Sequence, residues 1–158
     1  MEEPSTPELR RLVSAMNSMV LRLKQVFEGQ ATQVETLRRQ ANCDALTGLS
    51  NRAHFMGQLD AALHREDGSA EGGLVLLRIL DLAELNRSIG HDSADRMIAT
   101  IAQALQAYTT RADGCFVGRL NGSDFAICLP VGGVAEETAR ALCAALQAVL
   151  PAFGKQAA

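Results

Sequence analysis

Arg119-Leu120-Asn121-Gly122-Ser123-Asp124-Phe125 lies between two apolar runs, residues 115–117 and 126–129, each as long as a short strand. Polar and glycine residues between two such runs predict a β-hairpin. The Asn121-Gly122 pair at its tip predicts a type I′ turn, because both residues tolerate the positive φ angles that turn requires. The hairpin supplies one antiparallel strand pair, and the flanking sequence decides what that pair belongs to.

Outward from the hairpin the pattern turns helical. Met97, Ile98, Ile101, Leu105 and Tyr108 fall on one face of a helix expected over residues 92–108, after a shorter helix over 82–89. Residues 74–80 form an apolar run of buried-strand length. Phe55, Met56, Leu59 and Leu63 share one face of a helix over 52–65, and residues 66–73 read as a polar, Gly-rich loop. Downstream, 135–150 reads as a helix stopped by Pro151, whose ring and missing N–H break the hydrogen-bond ladder. The order helix, strand, two helices, two strands, helix predicts an α/β layer fold whose sheet holds at least one antiparallel pair.

Ahead of this lies a different pattern. Leu9, Leu12, Met16, Met19, Leu23 and Val26 are spaced alternately three and four apart, the a/d seam of a coiled coil. Val13, Val20, Phe27, Val34 and Ala41 recur every seven residues and widen the stripe, while Gln30 and Gln33 interrupt the seam before Leu37 resumes it. Thr6 as N-cap, Pro7 in the first turn and Glu8 near the positive dipole end set the helix start. At about 1.5 Å per residue, such a helix is a rod of roughly 50 Å. Arg10, Arg11, Arg22, Lys24, Arg38 and Arg39 leave an apolar stripe of coiled-coil width, which predicts parallel pairing with a second copy. Residues 1–41 therefore read as a coiled-coil-type helix, and 42–158 as a domain entered through the polar stretch 42–51.

Composition narrows the function classes. Fifteen Lys and Arg stand against 18 Asp and Glu, a net charge of −3 with both signs interspersed, which argues against nucleic acid as a partner. Aromatic residues make up 4% of the chain, too few for a base-stacking surface. Cys43, Cys115, Cys128 and Cys143 lack CxxC spacing and read as small buried apolar groups rather than zinc ligands or disulfide partners. No stretch approaches the ~20 apolar residues that span a bilayer. Met1-Glu2-Glu3-Pro4 lacks the basic start of a signal peptide, so the polypeptide is expected to be soluble. Gly154-Lys155 is followed by Gln156, which does not make a phosphate-cradling P-loop.

Asp44-Ala45-Leu46-Thr47-Gly48-Leu49-Ser50-Asn51-Arg52 follows the pattern Asp-x-Leu-Thr-Gly-Leu-x-Asn-Arg almost letter for letter. Asn86, Gly90-His91 and Asp95 echo the stretch Asn-Asp-x-x-Gly-His-x-x-Gly-Asp, with Arg87 and Ala94 departing from it. With the hairpin, where the pattern is Arg-x-Gly-Gly-Asp/Glu-Glu-Phe, these motifs resemble the GGDEF domain, the diguanylate cyclase family. The resemblance runs from residue 44 to residue 150. It implies a palm-like nucleotidyl-cyclase sheet flanked by helices, preceded here by the long helix. It also implies that 42–158 is incomplete at its C-terminal end, because family domains continue with further strands and a helix.

Active members of the family condense two GTP molecules into cyclic di-GMP, with Mg²⁺ held on carboxylates. The resemblance aligns one of these carboxylates with Arg78, the other with Ser123, and the first signature glycine with Asn121. A guanidinium has a fixed positive charge and no lone pair to offer a cation. The signature Asn121, Gly122, Ser123, Asp124, Phe125 thus reads as degenerate, with no catalytic residue, metal site or cofactor expected. Mg²⁺ and GTP enter only if the chain is a weak cyclase using Asp81 or Asp124. Strand alternation sets Asp81 opposite Leu80, and both carboxylates read better as solvated or helix-capping groups. Asn86 and Asp95 match the family's guanine-binding positions and read equally as capping and turn residues around Gly90. The family's inhibitory Arg-x-x-Asp motif falls on Ala112 and Cys115, with Arg111 and Asp113 displaced from it.

The long helix resembles the end of a HAMP module running into a signalling helix. With Arg78 and the altered hairpin, the chain is similar to LapD-type receptors, inner-membrane proteins with HAMP, inactive GGDEF and inactive EAL domains that sense cyclic di-GMP. The resemblance implies a catalytically inactive relay within such a receptor, controlling surface adhesion and biofilm. It implies two partners, a second copy through the N-terminal helix and a downstream EAL domain. It implies a cytoplasmic location, with membrane attachment only through an N-terminal part outside this sequence. A working diguanylate cyclase and a GTP-sensing module are the alternatives.

Overall fold

The computed structural model describes residues 6–64, 72–110 and 113–154. The chain divides into two compact units, Met1–Ala41 and Asn42–Ala158. The first is built from one helix, α1 (Pro7–Asn42), 36 residues long. Pro7 opens it, and the Thr6 carbonyl accepts the Arg10 N–H at 3.3 Å. Leu9, Leu12, Met16, Met19, Leu23 and Val26 are each more than half exposed, so the heptad stripe is uncovered.

The second unit runs α2 (Arg52–Leu63), β1 (Gly73–Arg78), α3 (Leu82–Ile89), α4 (His91–Thr109), β2 (Phe116–Arg119), β3 (Asp124–Leu129), α5 (Ala135–Val149) and α6 (Pro151–Gly154). Its three strands form one antiparallel sheet in the order β1-β3-β2. The expected order of elements and the α/β class both hold. Side chains alternate across the sheet, so each strand feeds two layers. One face brings Val75, Val117, Phe125, Ile127 and Leu129 against Met97, Ile98, Ile101 and Leu105 of α4, with Leu142 and Leu146 of α5. The 3.6-residue stripe of α4 is buried as its spacing predicts. Ala126 and Cys128, on the opposite face, meet Phe55 of α2. Gly118 permits that approach, since a Cβ there would lie 2.7 Å from Phe55.

Several expectations are corrected. Only Phe55 of α2 is buried, with Leu59 half-buried one turn on, while Met56 is 47% and Leu63 65% exposed. The helix packs on β2 through Phe55 and Leu59, with the Phe55 and Phe116 rings 5.2 Å apart. β1 is an edge strand and not a fully buried one: Val75 is buried, but Leu76 on the α2 side is 67% exposed. It ends at Arg78, so strand alternation does not reach Leu80 and Asp81. Pro151 does not simply stop the preceding helix but opens the short turn α6, a position where its missing N–H costs nothing. Cys128 is buried, Cys43 and Cys115 are half-buried, and Cys143 is exposed; all four are free thiols. Among the described residues, no helix is long and apolar enough to cross a membrane.

Candidate functional site

The hairpin forms where the sequence puts it, but its turn is of another kind. Arg119 pairs with Phe125, and the Leu120 N–H donates to the Asp124 carbonyl at 2.8 Å, leaving Asn121, Gly122 and Ser123 as the loop. Neither Asn121 nor Gly122 has a positive φ, so the type I′ expectation is wrong. The Asn121 side chain explains the difference. Its Oδ1 accepts the N–H of Ser123 at 2.9 Å and of Asp124 at 2.8 Å, an Asx-type closure that satisfies the tip without mirror-image dihedrals.

Strand pairing brings Arg78 opposite Asp124 at the end of the β1–β3 ladder. Arg78 Nε donates to Asp124 Oδ1 at 2.7 Å and Nη2 to Oδ2 at 2.9 Å, the two-pronged geometry of guanidinium on carboxylate. Asn121 Nδ2 adds a third hydrogen bond to Oδ2 at 2.7 Å, and Ser123 Oγ a fourth, long one to Oδ1 at 3.3 Å. The Arg78 and Asn121 donors hold the Asp124 carboxyl far below the usual carboxylate range. The main chain closes the corner too, with the Ile79 N–H on the Ser123 carbonyl at 2.9 Å.

A second ion pair lies beside the first. Arg119 Nη1 donates to Asp44 Oδ1 at 3.0 Å and Nη2 to the Gly122 carbonyl at 2.9 Å. The buried Nε has no hydrogen-bonding partner among the described residues, and the guanidinium carbon lies 5.9 Å from the Phe125 ring centre. Asp44 also accepts from the Thr47 N–H and hydroxyl, at 3.0 and 2.7 Å. Burial pushes the Asp44 carboxyl up, but the Thr47 and Arg119 hydrogen bonds outweigh it and leave it below the ordinary value. Sequence reading missed both ion pairs. The Asp-x-x-Thr spacing signals the local turn, whereas the arginine contacts need strand register.

The other candidate residues stand apart from this corner. Asn86 is half-buried on α3 and Asp95 exposed on α4. Among the described residues neither side chain has a hydrogen-bonding partner, and Gly90, at the start of α4, carries no side-chain cap. The capping role weighed for them is not taken up. Asp81 occupies the position before α3 in a left-handed conformation (φ 50°) without a side-chain cap bond. Of the inhibitory-motif positions, Arg111 and Ala112 lie outside the described residues. A cavity of about 500 Å³ opens between Tyr108, Cys115, Pro130 and Thr138, at the opposite end of β3 from the hairpin tip.

Chemically, the corner does not suit a divalent cation. Magnesium takes hard oxygen ligands, with carboxylate among them. The corner offers a guanidinium at Arg78, a hydroxyl at Ser123, and one carboxylate already taken by four hydrogen bonds from three side chains. Among the described residues, no group of three or more His, Cys, Asp or Glu side chains is gathered to hold a metal.

Residues 41–157 match the family described as "Diguanylate cyclase, GGDEF domain". The chain belongs to the GGDEF domain family. Diguanylate cyclase DgcP of Pseudomonas aeruginosa is 30% identical over 154 residues, which cover 96% of this chain and 22% of DgcP. The GGDEF chain thus spans about a fifth of that relative's length. Among solved structures, the coiled coil and GGDEF domain of DgcB from Caulobacter crescentus, in complex with c-di-GMP, superposes with a TM-score of 0.60. It is 26% identical, over 73% of this chain and 60% of that one. The S helix–GGDEF–EAL portion of Vibrio cholerae LapD, bound to c-di-GMP, gives a TM-score of 0.61 at 24% identity, over 76% of this chain and 28% of that one, a likeness of fold. A small antiparallel sheet among helices, with a long helix ahead of it, is the architecture of GGDEF domains that follow a coiled coil.

Proposed function

We propose that this GGDEF domain is a catalytically inactive relay in a cyclic di-GMP receptor of the HAMP–GGDEF–EAL, LapD-like type. One observation carries the reading: Arg78 is locked onto Asp124 at the corner where the family's cyclases seat Mg²⁺. A fixed cation there repels a second one, and at protein-like effective dielectric two such charges a few ångströms apart repel by several kcal/mol. With Ser123 in the other carboxylate position, the degenerate signature keeps its shape and loses its chemistry.

In this role the exposed heptad stripe of α1 pairs with a second copy, as a signalling helix continuing from a HAMP module does. The GGDEF body docks on a downstream EAL domain and releases it when that domain binds cyclic di-GMP, controlling surface adhesion and biofilm. The module lies on the cytoplasmic side of the inner membrane, attached through a preceding part of the protein. The test is incubation of the full-length protein with Mg²⁺ and GTP. No cyclic di-GMP forms, even at high protein concentration.

A second reading, a weak cyclase, is favoured by the activity in the name of the relative DgcP. It requires slow product formation that disappears in Asp81→Ala or Asp124→Ala. A GTP-sensing module is favoured by the uncommitted polar ends of Asn86 and Asp95. Calorimetry with GTP, against an Asn86→Ala control, decides that one.

A further inference from the structure

The Arg78–Asp124 contact does more than leave a metal without ligands. Arg78 ends β1, Asp124 begins β3, and the two are direct partners in the ladder. The guanidinium therefore bridges the edge strand to the hairpin tip. Around it, Asn121 binds Asp124 through Nδ2 and the Ser123 and Asp124 amides through Oδ1, while Ser123 returns its carbonyl to Ile79. Asp124 is the shared acceptor of the ring, and the positive charge on it, carried by a side chain 69% exposed, is covalently part of the chain. We infer that Arg78 serves as a built-in cation at this corner, fixing the hairpin tip in one geometry without metal or nucleotide.

The consequence is specific. A tip organised by a bound divalent ion changes with ion and nucleotide supply. A tip organised by a side chain does not, so a relay built on it answers to protein contacts alone. The inference rests on the same Arg78 substitution as the proposed function. Its readout is backbone order rather than product, so either can fail without the other.

Amide hydrogen exchange by NMR on the 158-residue chain, with and without millimolar Mg²⁺, tests it. Expected are Ser123, Asp124 and Ile79 amides whose protection is the same in both conditions. Paramagnetic broadening by Mn²⁺ should be absent at these residues. In Arg78→Ala, exchange at the three amides rises about two- to fivefold, the scale of a solvent-exposed ion pair lost from local opening, while buried amides such as those of Ile101 and Leu105 keep their rates. Arg78→Lys, which keeps the charge without the fork, gives intermediate exchange and still excludes Mn²⁺. Unchanged exchange in Arg78→Ala overturns the inference, as does Mg²⁺-dependent protection of the natural tip or Mn²⁺ broadening at Asp124. Should Arg78→Ala not fold, the Arg78→Lys comparison and the metal titrations of the natural chain still decide it.

Discussion

Arg119 and Asp44 join the domain's entrance to its hairpin. The guanidinium gives Nη1 to Asp44 Oδ1 at 3.0 Å and Nη2 to the Gly122 carbonyl at 2.9 Å. Its side chain is 11% exposed and that of Asp44 27%, so water does little to screen the pair. Removing one partner strands the other charge in a poor solvent. Arg119→Met should therefore cost about 2–4 kcal/mol, the scale for breaking a largely buried pair. Urea unfolding followed by circular dichroism should show a lower midpoint with an unchanged slope.

Phe55 of α2 packs directly over Gly118 of β2. A methyl group at Gly118 would lie 2.7 Å from Phe55 Cβ and Cδ2. Gly118→Ala should destabilise by about 1–3 kcal/mol through overpacking. Combining it with Phe55→Leu should recover part of the loss, a non-additivity that a double-mutant cycle detects.

Acid should expose both ion pairs. Asp124 is held down by Arg78 and Asn121, and Asp44 by Thr47 and Arg119 against its own burial. The folded state thus binds fewer protons than the unfolded chain, whose Asp titrates near 3.9. The stabilisation is fully present above that pH and declines as pH falls below it toward the folded values. Stability measured from pH 7 to pH 3 should stay flat on account of these groups until about pH 4 and then fall. Asp44→Asn and Asp124→Asn should each flatten the acid limb.

Pairing of α1 is tested by its seam. Leu12, Met16 and Leu23 are 58%, 58% and 55% exposed. Sedimentation velocity should show a dimer for the natural chain and a monomer for Leu12→Glu/Leu23→Glu. The thermal transition of the GGDEF body should not move, because no residue of α1 is buried.

How legible this was in the sequence depends on how local each signal is. The stripe of α4 and the two strands around Asn121-Gly122 are written in consecutive residues, and both formed as read. The turn type was misread because propensity for positive φ competes with the Asn121 side chain, which satisfied the same amides more directly. β1 looked buried because its composition is apolar, whereas burial follows from its place at the sheet edge. The two ion pairs were invisible for a related reason. Arg78 and Asp124 are 46 residues apart, Asp44 and Arg119 are 75 apart, and only register and packing bring them together. The motif resemblance grouped Arg78 with Ser123 but gave no sign of the contact between Arg78 and Asp124.

On the proposed function, the Arg78 guanidinium, and not a divalent ion, occupies Asp124 when metal and nucleotide are supplied. A crystal of the protein soaked in Mn²⁺ and a non-hydrolysable GTP analogue, examined by anomalous scattering, tests this directly. Expected are no metal peak at the corner and an unbroken Arg78–Asp124 contact. The opposite result is a manganese ion bound directly to an Asp124 carboxylate oxygen, with Arg78 swung aside.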